Sequence, residues 1–441
     1  MAPLRWTNDA RPGQPYWWDG IAAPASGPKA PPDSSDLLVI GAGYTGLSGA
    51  IAAHDAGASV VVLDAGIAGQ GASTRNGGMF GAHPRLGWDA LEKAYGASAA
   101  DGIFAEATRA MDWVKSLIAS ENIDCTLQKT GRIQLAWTRA HFDNQKELAK
   151  VVQAKSDVVV QVVERDGLAD HIRTGRYFGG LLFPQHCAID PARFHAGLFA
   201  AVRRRGIPVH GNCAVTSLER TQSGFRAITP ERAIRAAQVL LATNGYTTGA
   251  FNWHRARVFP LPSFLIATEP LPPDLIAHIA PGKRMMVETR ARHSYFRLSP
   301  DGSRILFGGR AAMRPIAPEL AAARLRDTML EVWPELAEAR LSHVWSGNTG
   351  YSFDHMPNVG SDRGLHWAMG FSGSGTVMAP YLGAKAALGA LGDPRGATTY
   401  RATRLRRSWL HPTPRPHFLR AADLWYRHAV DIRETRAGRR G

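Results

Sequence analysis

Short apolar runs that stop at a glycine set the rhythm of the first part of the chain. Asp36-Leu37-Leu38-Val39-Ile40 and Val60-Val61-Val62-Leu63-Asp64 are apolar without alternation, the pattern of strands buried on both faces of a parallel sheet. Between them, residues 45–56 carry Gly46, Gly49, Ala50, Ala52 and Ala53, which predicts a helix lying close on that sheet and completes a βαβ unit. A third run, residues 238–245, ends in Thr243-Asn244-Gly245 and reads as a return to the same sheet. Helical spacing of Ile103, Phe104, Ala107, Met111, Val114 and Leu117 predicts a helix over 98–120. Strand-like 131–136, helical 140–154 and β-like 158–163 follow. Asp190-Pro191 reads as an N-cap with a first-turn proline, opening a helix that runs to Arg205 and closes at Gly206. Short strands are expected at 209–210 and 214–218. Residues 251–335 alternate β-like runs (264–268, 293–298, 305–309) with a helix near 318–332, the texture of a second, mainly antiparallel sheet. Residues 345–395 are glycine-rich and end in a helix from about Val377. At the start, Tyr16-Trp17-Trp18 is too apolar to stay in water and is expected to dock on the body.

Composition narrows this further. The 441 residues are 45% hydrophobic and 20% charged, which suits two interleaved globular domains. Cys125, Cys187 and Cys213 have no CxxC spacing, so no disulfide framework, zinc site or dithiol pair is expected and a reducing compartment fits. The first twenty residues lack an apolar signal core, and no run is long enough to span a membrane, which places the protein in the cytoplasm. The net charge of +15 raises the question of nucleic acid. However, residues 401–441 hold eleven arginines against Asp423, Asp431 and Glu434, so more than half of the excess sits in one tail. A solvated or surface-docked tail is the expectation. Peripheral contact with an acidic partner or membrane surface ranks behind it, and nucleic acid last.

Gly41-Ala42-Gly43-Tyr44-Thr45-Gly46 is a GxGxxG between a buried strand and a helix. The first glycine permits the tight turn, the second lets backbone approach a pyrophosphate, and the third lets helix and strand pack closely. The helix start adds free N–H groups and partial positive charge. Asp64, followed by Ala65, stands where a carboxylate takes a ribose diol. The motif alone does not separate NAD from FAD. The stretch Gly69-Gln70-Gly71-Ala72-Ser73-Thr74-Arg75-Asn76-Gly77-Gly78, Val215 in a late strand, Thr243-Asn244-Gly245 at a strand end, and the glycine-rich segments around Gly347 and from Gly370 through Gly373-Ser374-Gly375 favour a long flavin dinucleotide. A second GxGxxG for NAD(P)H is missing from the sequence.

Taken in order, GAGYTG, GASTRNGGM, LLATNGYT, ATEPL, SYFRLSPDGSRILFGGR, WSGNTGYSFDHMPNVG and GFSGSGTVMAPYLG resemble the D-amino-acid oxidase/glycine oxidase family, nearest its gamma-glutamylputrescine oxidase-like branch, over residues 16–426. The resemblance implies an α/β fold. A Rossmann-like FAD-binding domain of the GR2 type (36–97, 185–250, 341–395) would interleave with an α+β substrate domain (98–184, 251–340). A docking segment (1–35) would precede them and a basic tail (396–441) would follow. It implies FAD, with Ser73, Arg75, Asn76, Gly77 and Gly78 along pyrophosphate and flavin, Val215 at adenine, and Gly373, Ser374, Gly375, Thr376 and Val377 at the flavin's pyrimidine edge, where helix-start amides stabilise charge on reduction. The stretch 69–78 holds no His or Cys, so the flavin is expected to be non-covalent. Two departures stand out. Related putrescine-type oxidases often read GHG where this chain has Gly373-Ser374-Gly375, and the lysine of the sarcosine-oxidase branch is missing from Ile305-Leu306-Phe307-Gly308-Gly309-Arg310.

The implied reaction is oxidation of the C–N bond of an amine or amino acid. Hydride passes to flavin N5, the imine hydrolyses, and O2 becomes hydrogen peroxide. Such chemistry needs positioning more than acid–base machinery. The candidates for a substrate pocket are Tyr295, Arg297, Arg310 and His83, with Arg85 beside the last. Tyr351 is a candidate flavin cap, and Asp354 is expected to satisfy backbone amides in its turn. No metal site is expected. Two rivals remain open: the same half-reaction feeding a quinone or protein acceptor, and a tRNA-modifying flavoprotein.

Overall fold

Strand Ser34–Ile40 lies between Val60–Leu63 and Ala233–Leu241, all three parallel, with Leu37 opposite Val60 and Ile40 opposite both Leu63 and Leu241. The computed structural model that shows this describes residues 4–22, 31–81, 83–411 and 415–439. Val209–His210 extends the sheet beyond Val60–Leu63, and Leu365–Met369 adds in parallel to the end of Ala233–Leu241. The hairpin Ser217–Thr221/Gly224–Ile228 pairs with the start of Ala233–Leu241. Leu37, Leu38, Val39, Val62 and Leu63 are fully buried, which explains why the sequence runs are apolar without alternation. Val215 lies in the loop before Ser217–Thr221, not in a strand, because pairing starts only at Ser217.

The small residues act as expected. Helix Tyr44–Asp55 lies against helix Gly375–Ala390 with almost no side chain between them. A Cβ on Gly49 would stand 2.7 Å from Leu240, and one on Gly383 would stand 2.2 Å from the Thr45 carbonyl.

The second sheet has nine strands, in the order Trp6–Pro12, Leu341–Ser352, Val258–Thr268, Ile305–Gly309, Ser294–Leu298, Met285–Glu288, Arg132–Leu135, Gly179–Phe183, Gln161–Glu164. It is antiparallel except at two pairs, Trp6–Pro12 with Leu341–Ser352 and Met285–Glu288 with Arg132–Leu135. Residues 341–352 form the long partner of Val258–Thr268 in the second sheet, and the chain returns to the first sheet with strand Asn358–Asp362. The N-terminal segment supplies an edge strand as well as a docking site. Helix Ala97–Ser120 packs on Gly375–Ala390 and shares the core of the first sheet rather than that of the second.

The tail is docked. Asp423 accepts from Met313 N (3.0 Å) and pairs with Arg427, Asp431 pairs with Arg292, and the Glu434 carboxylate accepts from Ala291 N (3.1 Å). All three acids of the tail are thus spent on attachment. Among the described residues, no helix is long and apolar enough to cross a membrane.

Candidate active site

The first sheet delivers its glycine loop to a cleft of about 570 Å³. Gly41 has φ +110°, and a Cβ there would meet the Ala242 carbonyl at 2.9 Å, so this turn needs glycine. The Ser73 hydroxyl accepts from Tyr44 N at 3.0 Å, and a Cβ on Gly43 would strike it. Asp64 accepts from Ala42 N (2.7 Å) and Gly66 N (2.9 Å). Burial raises its carboxyl above the usual range while these two amides oppose the rise. Gly41, Gly43, Tyr44, Thr45, Asp64, Ala65, Gly71, Ala72, Ser73, Arg75, Asn76, Val215, Thr243, Asn244, Gly347, Gly373, Gly375 and Thr376 line this cleft. Gly46, Gly78, Gly245, Gly370 and Val377 lie outside this cleft. Gly46 seats the helix on its strand, Gly245 backs on Gly350, Gly370 N donates to the Asn244 side chain (2.9 Å), and Val377 is core.

The loop 69–78 is pinned from several sides. Trp17 donates to Asn76 O (2.8 Å), Trp18 to Thr74 Oγ1 (3.0 Å) and Trp345 to Arg75 O (2.9 Å). This is the role of the aromatic N-terminal segment. His195 bonds the Ala42 carbonyl at 2.8 Å, and burial pushes its imidazole down to about 4. Its importance was hidden in the sequence, where it reads as one polar position in an amphipathic helix. Arg297, expected in the substrate pocket, lines neither cavity. It is 4% exposed and donates to Gly78 O (3.0 Å), Ile189 O (2.8 Å) and Leu298 O (2.9 Å), so it staples the loop from beneath.

A second cavity of about 480 Å³ joins the cleft, and the two share Ala72, Arg75, Asn76, Gly347, Asn348, Thr349, Gly373 and Thr376. Tyr295, Arg310, His83, Arg85, Tyr351, Gly77 and Ser374 line this chamber. The Tyr295 ring is wedged between Gly77 and Gly308, where a Cβ would come within 2.8 and 2.4 Å of it. Its hydroxyl meets Ser263 Oγ at 2.9 Å, and burial pushes it up to about 12. Arg310 donates to the Tyr351 hydroxyl (2.5 Å), and Arg85 donates to Ser372 O (3.1 Å) and lies over the Tyr351 ring. Asp354 stays outside the chamber and accepts from Met356 N (3.2 Å) and Tyr95 OH (2.6 Å). Sequence reasoning missed Arg132, His186, Glu288, Arg290 and His293, which also line the chamber. The signal was present in Arg132-Ile133-Gln134-Leu135. Its polar positions face the chamber, while Ile133 and Leu135 join the core behind the sheet. Burial and the neighbouring arginines hold His83 and His186 well below the usual imidazole range and push His293 down to about 3.

The family model described as "FAD dependent oxidoreductase" (DAO) matches residues 36–387. The chain belongs to the DAO family of FAD-dependent oxidoreductases. Among curated relatives, it is 27% identical to the probable oxidoreductase OrdL of Rhizobium meliloti, over 86% of this chain and 89% of that one. It is also 27% identical to the gamma-glutamylputrescine oxidoreductase of Escherichia coli, over 78% and 80%. Among solved structures, glycine oxidase from Geobacillus kaustophilus superposes with a TM-score of 0.71 at 18% identity, covering 86% of this chain and 99% of that one, a likeness of fold. The cleft of this DAO-family enzyme fits FAD: a cradle that Cβ atoms would fill, a half-buried carboxylate suited to a ribose diol, and the start of the 16-residue helix Gly375–Ala390 at the junction with the chamber.

Proposed function

We propose that this flavoenzyme oxidises the carbon–nitrogen bond of an amine or amino acid held in the arginine-lined chamber. The observation that carries the reading is the junction, where a cationic chamber opens onto the dinucleotide cleft at Gly347, Thr349 and Gly373. FAD, when bound without a covalent link, supplies the two-electron acceptor. Ser73, Arg75 and Asn76 would hold its pyrophosphate and flavin side, Asp64 a ribose, and the backbone at Val215 the adenine. The N–H groups opening Gly375–Ala390 would stabilise negative charge at the ring edge. Arg310 and Arg85, each over the Tyr351 ring, take a substrate carboxylate, and Tyr295 orients the amine. Burial and the neighbouring arginines keep His83, His186 and His293 unprotonated near neutrality and burial keeps Tyr295 protonated, so no imidazolium adds to the positive charge of the chamber. The amine enters neutral, and water hydrolyses the imine product.

Anaerobic titration of the holoenzyme with amines and amino acids, followed by flavin absorbance, tests this. Bleaching by a member of the set supports the reading, and a flavin that none reduces refutes it. Rapid return of colour in air, with hydrogen peroxide formed, marks an oxidase. Buried free thiols at Cys125, Cys187 and Cys213 support a reducing compartment, and we place the enzyme in the cytoplasm.

A second reading has its own support. Trp409, Leu410, Leu424, Trp425 and Ile432 are exposed on the tail, among exposed Arg404, Arg406, Arg420, Arg433 and Arg436. Such a surface suits an acidic partner or membrane face, and with it a quinone or protein electron acceptor. Slow reoxidation by O2 together with fast reoxidation by a soluble quinone would favour it over the oxidase.

A further inference from the structure

The charges of the chamber do not balance. Glu288 is the one acid among its described lining residues, and it is consumed. Both Arg290 Nε and Nη2 bond it (2.9 and 2.7 Å), Tyr177 donates to it (2.6 Å), and Ser294 N donates at 3.1 Å. Apart from Arg75, which stands at the junction with the cleft, Arg85, Arg132 and Arg310 remain, and among the described residues none of these three has a carboxylate within ion-pair distance. Arg85 bonds a carbonyl, Arg310 a phenol and a carbonyl, and Arg132 the ring nitrogens of His83 at 3.1 Å. Arg132 Nε is buried without any hydrogen-bond partner. An uncompensated guanidinium in such a place is costly to keep, and an anionic ligand relieves that cost.

These cations form two poles. Arg310 follows strand Ile305–Gly309, and Arg132 opens strand Arg132–Leu135, three strands along the same sheet. At about 4.8 Å per strand their backbones stand roughly 14 Å apart. Arg85 and Tyr351 join the Arg310 pole beside Gly373, where a Cβ would meet Arg85 at 3.6 Å and the Tyr351 hydroxyl at 3.8 Å. Tyr295, on the strand next to Ile305–Gly309, lies nearer the Arg310 pole.

Building on the amine-oxidation reading, we infer that the substrate is a dianionic amine: an amino acid whose α-carboxylate binds Arg85 and Arg310 and whose second carboxylate, or an equivalent anion, binds Arg132. A cationic or diamine tail would meet Arg132 with like charge.

The test uses the holoenzyme and pairs of compounds that differ in the distal charge: glutamate with glutamine and aspartate with asparagine, both enantiomers of each, and iminodiacetate with sarcosine. Flavin reduction is followed without oxygen. In the same protein, calorimetry compares binding of glutarate and butyrate, which cannot be oxidised. The diacid of at least one pair is expected to be preferred about 10- to 100-fold, the worth of one charge-assisted bond in a desolvated site. Glutarate should bind at least about tenfold tighter than butyrate. Arg132→Gln should remove both preferences while leaving FAD content and the spectrum of the oxidised flavin unchanged, and Arg132→Lys should restore part of each. A merely structural Arg132 would lower all substrates alike, which overturns the inference. Reduction by neutral-tailed or diamine substrates in preference to diacids, with glutarate no better than butyrate, overturns it and leaves amine oxidation standing. If no amine reduces the flavin, amine oxidation itself falls and the inference falls with it.

Discussion

Replacing Arg297 by methionine keeps much of the buried volume and removes a guanidinium that makes three bonds to backbone carbonyls, at Gly78, Ile189 and Leu298. Gly78 O retains Ile189 N as a second donor at 2.9 Å, so the heaviest loss falls on the Ile189 carbonyl and on the link between the loop 69–78 and the second sheet. Some desolvation cost is recovered, since Arg297 Nη2 is buried with no hydrogen-bond partner and burial pushes the guanidinium down to about 10. Bonds from a charged group are worth about 1.5–3 kcal/mol each, and with that recovery the net loss is about 2–3 kcal/mol. If the loop must be in place for FAD to bind, the dissociation constant for FAD rises about 30- to 150-fold. Fluorescence of released flavin on dilution measures it. Arg297→Lys should recover little, because one ammonium cannot reach three carbonyls in the geometry of a planar fork. Unchanged FAD affinity in Arg297→Met would refute the staple. Unchanged affinity with a large rise in KM would go further and return Arg297 to the substrate pocket, where the sequence had suggested it.

Gly308→Ala should push the Tyr295 ring out of place, because the new Cβ would lie 2.4 Å from its ring carbons. We expect kcat/KM to fall at least about tenfold with FAD binding unchanged, and unaltered kinetics would show that Tyr295 does not position the substrate. Asp423→Ala should loosen the tail, since it removes the acceptor of Met313 N and the partner of Arg427, at a cost of about 2–3 kcal/mol. Faster proteolysis or amide exchange across 415–439 would report it, and unchanged protection would count against docking through this residue. His195 is held neutral down to about 4, whereas in the unfolded chain it titrates near 6.5. The unfolded chain therefore binds the extra proton below that pH, so the stability contributed is complete above about 6.5, is lost as the pH falls towards 4, and is down by about 2 kcal/mol at pH 5. Urea midpoints at pH 7.5 and 5.0 should differ more for the native protein than for His195→Phe. Equal differences would refute this.

What the sequence determined by itself was the local chemistry of the dinucleotide cleft. Gly41, Gly43 and Gly46 with Asp64 report on one turn, one helix start and one strand end, all within 25 residues, and backbone sterics leave few other ways to arrange them. Buried strands and the Asp190-Pro191 cap are legible for the same reason: period, apolar run and cap are short-range properties. The chamber had no such signature. Arg132 opens one strand while Arg290 and Arg310 follow the ends of two others, and which arginine is spent is decided by what lies across the sheet: Glu288 neutralises Arg290, and the carbonyls at 78 and 189 claim Arg297. Tyr295 and Arg297 have the same parity on one strand and point the same way. Only the placement of Gly77, Gly308 and the loop above them sends one into the chamber and buries the other beneath the cofactor loop. Charge compensation is a long-range property of packed elements, and a linear pattern of residues does not encode which partner arrives.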